Sequence, residues 1–209
     1  MKSKISLFVI LFLIPLFTMA QVMKGIEVIA PFSEGLAAIK KGEQWGFINT
    51  KGDLIIDFRN DLVWDGTADP STFGIMGVKY PRFNQGRCLV KKVEEGIPYY
   101  GFIDTSGKLV IDYQFLNVAQ YDSGHVTGII FEKVLKGENE FKLKIYDYKF
   151  HEVLMDTSGK IIEYLAKPTN IQMTSKRYKT PWLRTKLLND NLIAVRNEDN
   201  SLEIRKITM

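Results

Sequence analysis

The chain is poor in the residues that carry most covalent and metal chemistry. Its 209 residues include one cysteine and two histidines. Cys88 has no partner within the chain, so internal disulfides are excluded as the source of stability. It sits in the apolar run Gly86-Arg87-Cys88-Leu89-Val90 with no histidine beside it. That setting reads as a small buried hydrophobe and not as an activated thiol. His125 and His151 show neither a His-x-x-x-His nor a Cys-x-x-Cys spacing, so no zinc-site pattern is present and no metal is expected. Neither a Gly-x-Ser-x-Gly nucleophile turn nor a glycine-rich phosphate loop ending in Lys-Ser/Thr occurs. No cofactor and no catalytic residue follow from the sequence.

An excess of charge is lacking too. Lysine and arginine number 28 against 24 acidic residues, a formal net charge of +4. Two of those lysines, Lys2 and Lys4, open the chain, and without them the balance is about +2. Nucleic-acid binders carry a strongly basic face, so nucleic acid is not an expected partner.

What is present begins at the N-terminus. Lys2 and Lys4 precede an apolar run, Ile5 to Phe17, interrupted only by Ser6 and Pro15, and Thr18-Met19-Ala20 closes it with a small residue. This is the pattern of a secretory signal over 1–20, cut after Ala20. The run falls short of the roughly 20 residues that span a bilayer. No span is expected once the signal is removed, and an uncleaved anchor is the rival reading. The expected location is secreted or periplasmic.

The remainder is repetitive. Phe32-Ser-Glu-Gly35, Trp45-Gly-Phe-Ile48 and Asn49-Thr-Lys-Gly-Asp-Leu-Ile-Ile-Asp57 return as Phe83-Asn-Gln-Gly86, Tyr100-Gly-Phe-Ile103 and Asp104-Thr-Ser-Gly-Lys-Leu-Val-Ile-Asp112, with a period of 51 to 55 residues. Self-similarity at a fixed period marks an array of like units. Asp104 to Gly107 has an acceptor at the first turn position and a glycine at the fourth, which predicts a type I turn closed by a left-handed residue. The same four positions recur at Asn49–Gly52, Asp156–Gly159 and Asn197–Asn200, with asparagine tolerable at the left-handed site. Runs rich in strand formers flank each turn, so each unit reads as three short antiparallel strands. In Trp45 to Ile48 both alternating faces are apolar or bare, so each sheet is expected to be covered on two sides. Gly46 and Gly101 predict a close approach by a ring or a strand.

These units resemble WG repeats, named for the pair at Trp45-Gly46. The likeness is good over about 25–58 and 82–113 and weaker over 121–165, where Tyr121-Asp-Ser-Gly124 replaces the Phe corner and Glu152-Val153 stands where aromatic-Gly is expected. It is faint over 188–205. The resemblance implies a β-rich repeat module, often on exported bacterial proteins, and no activity. The expected fold is all-β: tandem three-stranded meanders forming a twisted open array or a barrel- or propeller-like sheet, with little helix. A β-repeat region spans 21–165, and a basic connection with a degenerate hairpin spans 166–209 within the same domain. Phe32, Gly35, Trp45, Gly46, Gly52, Phe83, Gly86, Tyr100, Gly101, Asp104, Gly107, Asp156 and Gly159 are scaffold positions.

Candidate functional residues are therefore sought off the consensus. Residues 59–82 form an insertion with the loop pairs Asp65-Gly66 and Asp69-Pro70. Residues 114–120 have room for one helical turn. Gly137 to Glu140 predicts a tight loop, followed by Phe141-Lys-Leu-Lys-Ile145 as a half-exposed strand. Residues 164–189 contain no Asp or Glu while holding Lys176, Arg177, Lys179, Arg184, Tyr178 and Trp182. With Trp64, these are the candidate binding residues, for an anionic or sugar-rich partner. Tyr99 and Tyr100 are further candidates for stacking on sugar. The leading expectation is a non-catalytic exported module that binds or scaffolds at the bacterial cell envelope, its partner a protein or an envelope polysaccharide. The alternatives are an envelope carbohydrate-active enzyme, which needs two facing carboxylates, and a purely structural spacer for protein–protein contact.

Overall fold

Turn chemistry sets the architecture. The computed structural model describes residues 23–168 and 171–207; the expected signal, 1–20, lies outside the described residues. A short strand β1 (Val28–Ile29) leads into β2 (Leu36–Lys41), β3 (Gln44–Asn49) and β4 (Leu54–Arg59). The second unit is β5 (Cys88–Glu94), β6 (Ile97–Ile103) and β7 (Leu109–Val118). The third is β8 (His125–Glu138), β9 (Lys144–Asp156) and β10 (Ile161–Ala166), and the fourth β11 (Thr185–Asn189), β12 (Leu192–Arg196) and β13 (Leu202–Lys206). Every pairing is antiparallel, in sheets ordered β1-β2-β3-β4, β10-β9-β8-β7-β6-β5 and β11-β12-β13. The protein is all-β with open sheets; among the described residues the one helical element is a 3-10 turn at Gly74–Gly77. No helix among them is long and apolar enough to cross a membrane.

All four predicted turns form. Gly107 N–H donates to the Asp104 carbonyl, and the Asp104 carboxylate accepts from the Ser106 and Lys108 amides. Asn49 and Asp156 repeat this arrangement, and Asn200 takes φ 66° at the site that is Gly52, Gly107 or Gly159 elsewhere. The Phe-x-x-Gly corner is a two-residue hairpin turn. Consecutive left-handed residues, Glu34-Gly35, Gln85-Gly86 and Ser123-Gly124, are closed by reciprocal backbone bonds such as Ser33 to Leu36. Two positive φ values in succession define the type I′ turn, whose twist matches that of the strands it joins.

The aromatic-Gly pair marks a bulge. Opposite Gly46 and Gly101 the third strand slips register, and its carbonyl presses on the glycine. A Cβ at Gly101 would stand 2.6 Å from the Ile111 oxygen, and one at Gly46 2.9 Å from the Ile56 oxygen. The third unit slips register at the same point, between Tyr164 and Ala166, yet there Val153 pairs with Tyr164 and keeps its side chain.

Consecutive units are joined by a strand that changes partner. After β4, Asp61 to Val63 pair with β5, through a bridge between Leu62 and Val90 and a 2.7 Å bond from Lys91 N–H to the Asp61 carbonyl. The end of β7 pairs with β8 in the same way, Asn117 opposite Ile129 and Val118 opposite Gly128. The hydrophobic clusters follow these joints. One combines Trp45 and Phe47 with Phe83, Val90 and Ile103; another combines Phe102 and Phe115 with Tyr121, Val126 and Val153; a third combines Leu154 with Leu187, Ile193 and Val195. Each unit buries its face against its neighbour, as in repeat arrays generally.

Several local expectations are corrected. Residues 114–118 are strand, not a helical turn, because they serve as the joint to β8. The insertion is shorter than expected, since 61–63 carry the repeat pairing and the departure starts at Trp64. The tight loop falls at Asn139–Lys142, with Lys142 left-handed, and Gly137 lies at a slip within β8. Phe141 and Leu143 are consequently turn residues and Ile145 lies near the start of β9; all three are exposed, Phe141 by 80%. Phe32, placed with the scaffold aromatics, is also exposed, whereas Phe83 and Tyr121 at the same position are buried.

Candidate functional site

Four polar side chains are buried among the described residues: Asn117, Thr127, Glu152 and Thr185. All four act where the C-terminal segment docks on the second and third units. Asn117, fully buried near the end of β7, accepts from Ile75 N–H at 3.0 Å and donates to the Pro181 carbonyl at 2.8 Å. One amide thus ties the insertion to the acid-free segment. The fit is tight: a Cβ at Gly74 would fall 2.2 Å from the Asn117 side-chain oxygen.

Glu152 performs the second attachment. It lies four residues before Asp156, as Trp45 lies before Asn49 and Tyr100 before Asp104. Its carboxylate accepts from the Arg184 amide (3.2 Å), the Thr185 amide (2.8 Å) and the Thr185 hydroxyl. Burial pushes this carboxyl above the usual carboxylate range, and the bonds from Thr185 and Arg184 pull the other way. Thr127 adds a long contact, its hydroxyl 3.4 Å from the Thr185 carbonyl.

These attachments frame a cleft of about 400 Å³. One wall is the insertion, with Phe73, Lys79, Tyr80 and Arg82. The floor is the joint between units, Ala119 to Asp122, and the other wall is Thr185, Lys186 and Leu187 of β11. The insertion and the acid-free stretch, two regions outside the repeat consensus, therefore meet at one hollow. The volume lies within the roughly 300–1,000 Å³ typical of small-ligand sites. Arg82 Nε donates to the Gln120 amide oxygen at 2.5 Å, which aims the guanidinium without neutralising it. Lys186 Nζ lies 5.6 Å from the Phe73 ring centre, and the Arg196 guanidinium 5.3 Å from it.

None of the residues expected to bind lines this cleft. Trp64 packs edge-on against Trp45, ring centres 5.6 Å apart, with Lys40 Nζ 5.2 Å above it. It closes the first core. Tyr178 is half-buried; its hydroxyl donates to the Leu116 carbonyl, and burial raises its pKa. Arg184 docks through its backbone amide, its guanidinium being 3.9 Å from Glu198. Lys176, Arg177, Lys179 and Trp182 are exposed, Trp182 by 71%, outside the cleft. Tyr100 is buried and Tyr99 half-buried. What the sequence did offer was the cluster Lys79-Tyr80-Pro81-Arg82 in the insertion and Lys186 in the acid-free run. Nothing in their spacing joins them.

A second off-consensus feature is the far end of the β8–β9 hairpin. Leu135, Phe141, Leu143, Ile145 and Tyr146 are all exposed on this arm. Among the described residues no three His, Cys, Asp or Glu side chains gather to hold a metal.

Comparison with known proteins agrees with this geometry. The family model described as WG containing repeat matches residues 26–45, 45–64 and 100–125. These cover the first meander with the joint that follows it, and the second meander from Tyr100 to the third corner. No curated protein and no solved structure matches the chain.

Proposed function

We propose, since the chain is a WG repeat protein, that it is an exported, non-catalytic binding module of the bacterial cell envelope, and that its ligand seat is the cleft between the insertion and β11. The observation that carries this is the convergence of two off-consensus segments on one hollow, with Asn117 and Glu152 fixing its walls. Ligand sites need a rigid frame, and buried, satisfied polar bonds supply one. Export rests on the signal pattern of residues 1–20. The cleft lining carries one carboxylate, Asp122, where paired-carboxylate hydrolysis needs two facing groups; this favours binding over glycoside cleavage.

The test has two arms. Fractionation and intact-mass measurement of the expressed chain should find it outside the cytoplasm and starting at Gln21. The mature chain should then be screened against glycans, peptidoglycan and envelope extracts beside Tyr80→Ala and Lys186→Glu. A ligand lost in both variants supports the seat. Cytoplasmic retention at full length, or ligand binding untouched by either substitution, counts against it.

A second reading, a spacer that presents a protein-contact surface, is favoured by the exposed apolar side chains of the β8–β9 arm. It predicts that Phe141→Ser with Leu143→Ser removes a partner while ligand binding at the cleft persists.

A further inference from the structure

We infer that the cleft takes an anionic sugar, a saccharide ring bearing a carboxylate or a phosphate. This rests on the reading of the cleft as the ligand seat. Three cationic side chains line it, Lys79, Arg82 and Lys186, against the single carboxylate of Asp122. Elsewhere some cations are matched, as Lys40 is with Glu27 and Arg59 with Asp61, and others, such as Lys176, Arg177 and Lys179, stand exposed with no ion pair among the described residues. What sets Lys79, Arg82 and Lys186 apart is that they line one concave site. Lys79, Arg82 and Lys186 form no ion pair among the described residues. Arg82 is instead held by the neutral Gln120 amide, so its full charge remains available. Unpaired cations gathered in a concave site raise the local concentration of anions and strengthen their binding, because the low-dielectric walls focus the field. A guanidinium offers a planar fork that matches a carboxylate or phosphate, while a lysine ammonium supplies point charge.

The remainder of the lining suits a sugar ring. Phe73 and Tyr80 provide aromatic surface, and Asn84, Gln120 and Thr72 provide neutral donors and acceptors for hydroxyl groups. The volume of about 400 Å³ holds one or two rings. It is too small for a nucleic-acid backbone, and the near-balanced charge of the chain gives no extended basic track for one.

The test is calorimetric titration of the folded chain with glucuronic acid, glucose 6-phosphate, glucose and inorganic phosphate, at low and at physiological ionic strength. One or both acidic sugars should bind about tenfold or more tightly than glucose, and more weakly as salt rises. Which of the two binds assigns the anion as carboxylate or phosphate. Lys186→Glu should weaken the acidic sugar about tenfold with the far-ultraviolet circular dichroism unchanged, and Arg82→Gln should act in the same direction. Glucose binding as tightly as its acidic forms, no binding by either acidic sugar, or indifference to Lys186→Glu overturns the inference. Inorganic phosphate binding as tightly as glucose 6-phosphate removes the sugar from it. If a neutral ligand binds and is lost in Tyr80→Ala but not in Lys186→Glu, the seat stands and only its charge preference is wrong.

Discussion

The first two units and the last two use one backbone pattern for different ends. In the first pair the position four residues before the turn is aromatic, Trp45 or Tyr100, and both are buried in apolar clusters. In the third unit it is Glu152, and in the fourth Ile193. The backbone environment barely changes: Trp45 faces Lys40, Tyr100 faces Lys91, and Glu152 faces Ile129 across the equivalent pair of strands. The use changes completely. An aromatic there joins an apolar cluster shared with neighbouring segments, whereas the carboxylate binds the backbone of the chain entering β11. A repeat position can thus be turned from apolar packing to polar docking by one residue, provided the buried charge meets enough donors.

The joints show the same contrast. Asp61 and Asn117 hold equivalent places, each at the point where the chain crosses to the next unit. Asp61 is half-buried at the surface and pairs with Arg59, while Asn117 is fully buried and ties two loops together. In the first joint the chain departs through 64–82. In the second, Ala119 and Gln120 alone separate Val118 from Tyr121. The long excursion of the first joint covers the short second joint and forms the cleft with it.

The comparison is broken most severely by emptying a consensus core. Trp45→Ala is expected to cost roughly 3–5 kcal/mol in denaturant unfolding, as large aromatic truncations do. An equal loss from Trp182→Ala would contradict the assignment of Trp182 to the surface. Next comes Glu152→Ala, which strands two buried amides and a hydroxyl at about 1–3 kcal/mol. Its loss should concentrate in hydrogen-exchange protection of 184–195 and leave 36–59 unchanged; uniform loss across the chain would deny it a docking role. Gly101→Ala follows, at about 1–3 kcal/mol from the clash with the Ile111 carbonyl, with Gly46→Ala milder in line with its longer distance. The reverse order by thermal unfolding would dismiss the close carbonyl as the reason for glycine.

The smallest effect is in pH, and its sign differs between the two regions. The Ser106 hydroxyl bond holds the Asp104 carboxyl below its usual range, and the Ser158 hydroxyl does the same for Asp156. Their contribution is complete above the unfolded carboxylate value and is lost as pH falls through the lowered folded value. Glu152 is shifted upward by burial, so its contribution is complete below the unfolded value and is lost as pH rises through the folded one. Acidification below the ordinary carboxylate range should therefore loosen the amides of Ser106 and Lys108, whereas those of Arg184 and Thr185 should loosen as pH rises through the raised value of Glu152, both read as protection factors. A common direction at both places would refute the assignment of opposite shifts.

Much of this was legible from residues alone. The four turns, the close approach at Gly46 and Gly101 and the buried state of Cys88 follow from local rules, and the structure has all of them. Glu152 was visible as a departure from the aromatic position, yet it read as decay of the repeat. Its role needed Thr185, which is 33 residues away. The helical turn expected at 114–120 failed because strand pairing at the joint overrides a weak local preference.

By itself the sequence determined the repeating meander, since each turn is closed by groups within four residues of one another and so is written into consecutive letters. Only the tertiary structure decided the cleft. Its clasps join residues 32 to 64 apart, from Arg184 on Glu152 to Asn117 on Pro181, and no periodicity relates one end to the other. A local hydrogen bond is encoded by spacing. A long-range one exists only after the units have stacked and brought two unrelated loops against the same buried side chain.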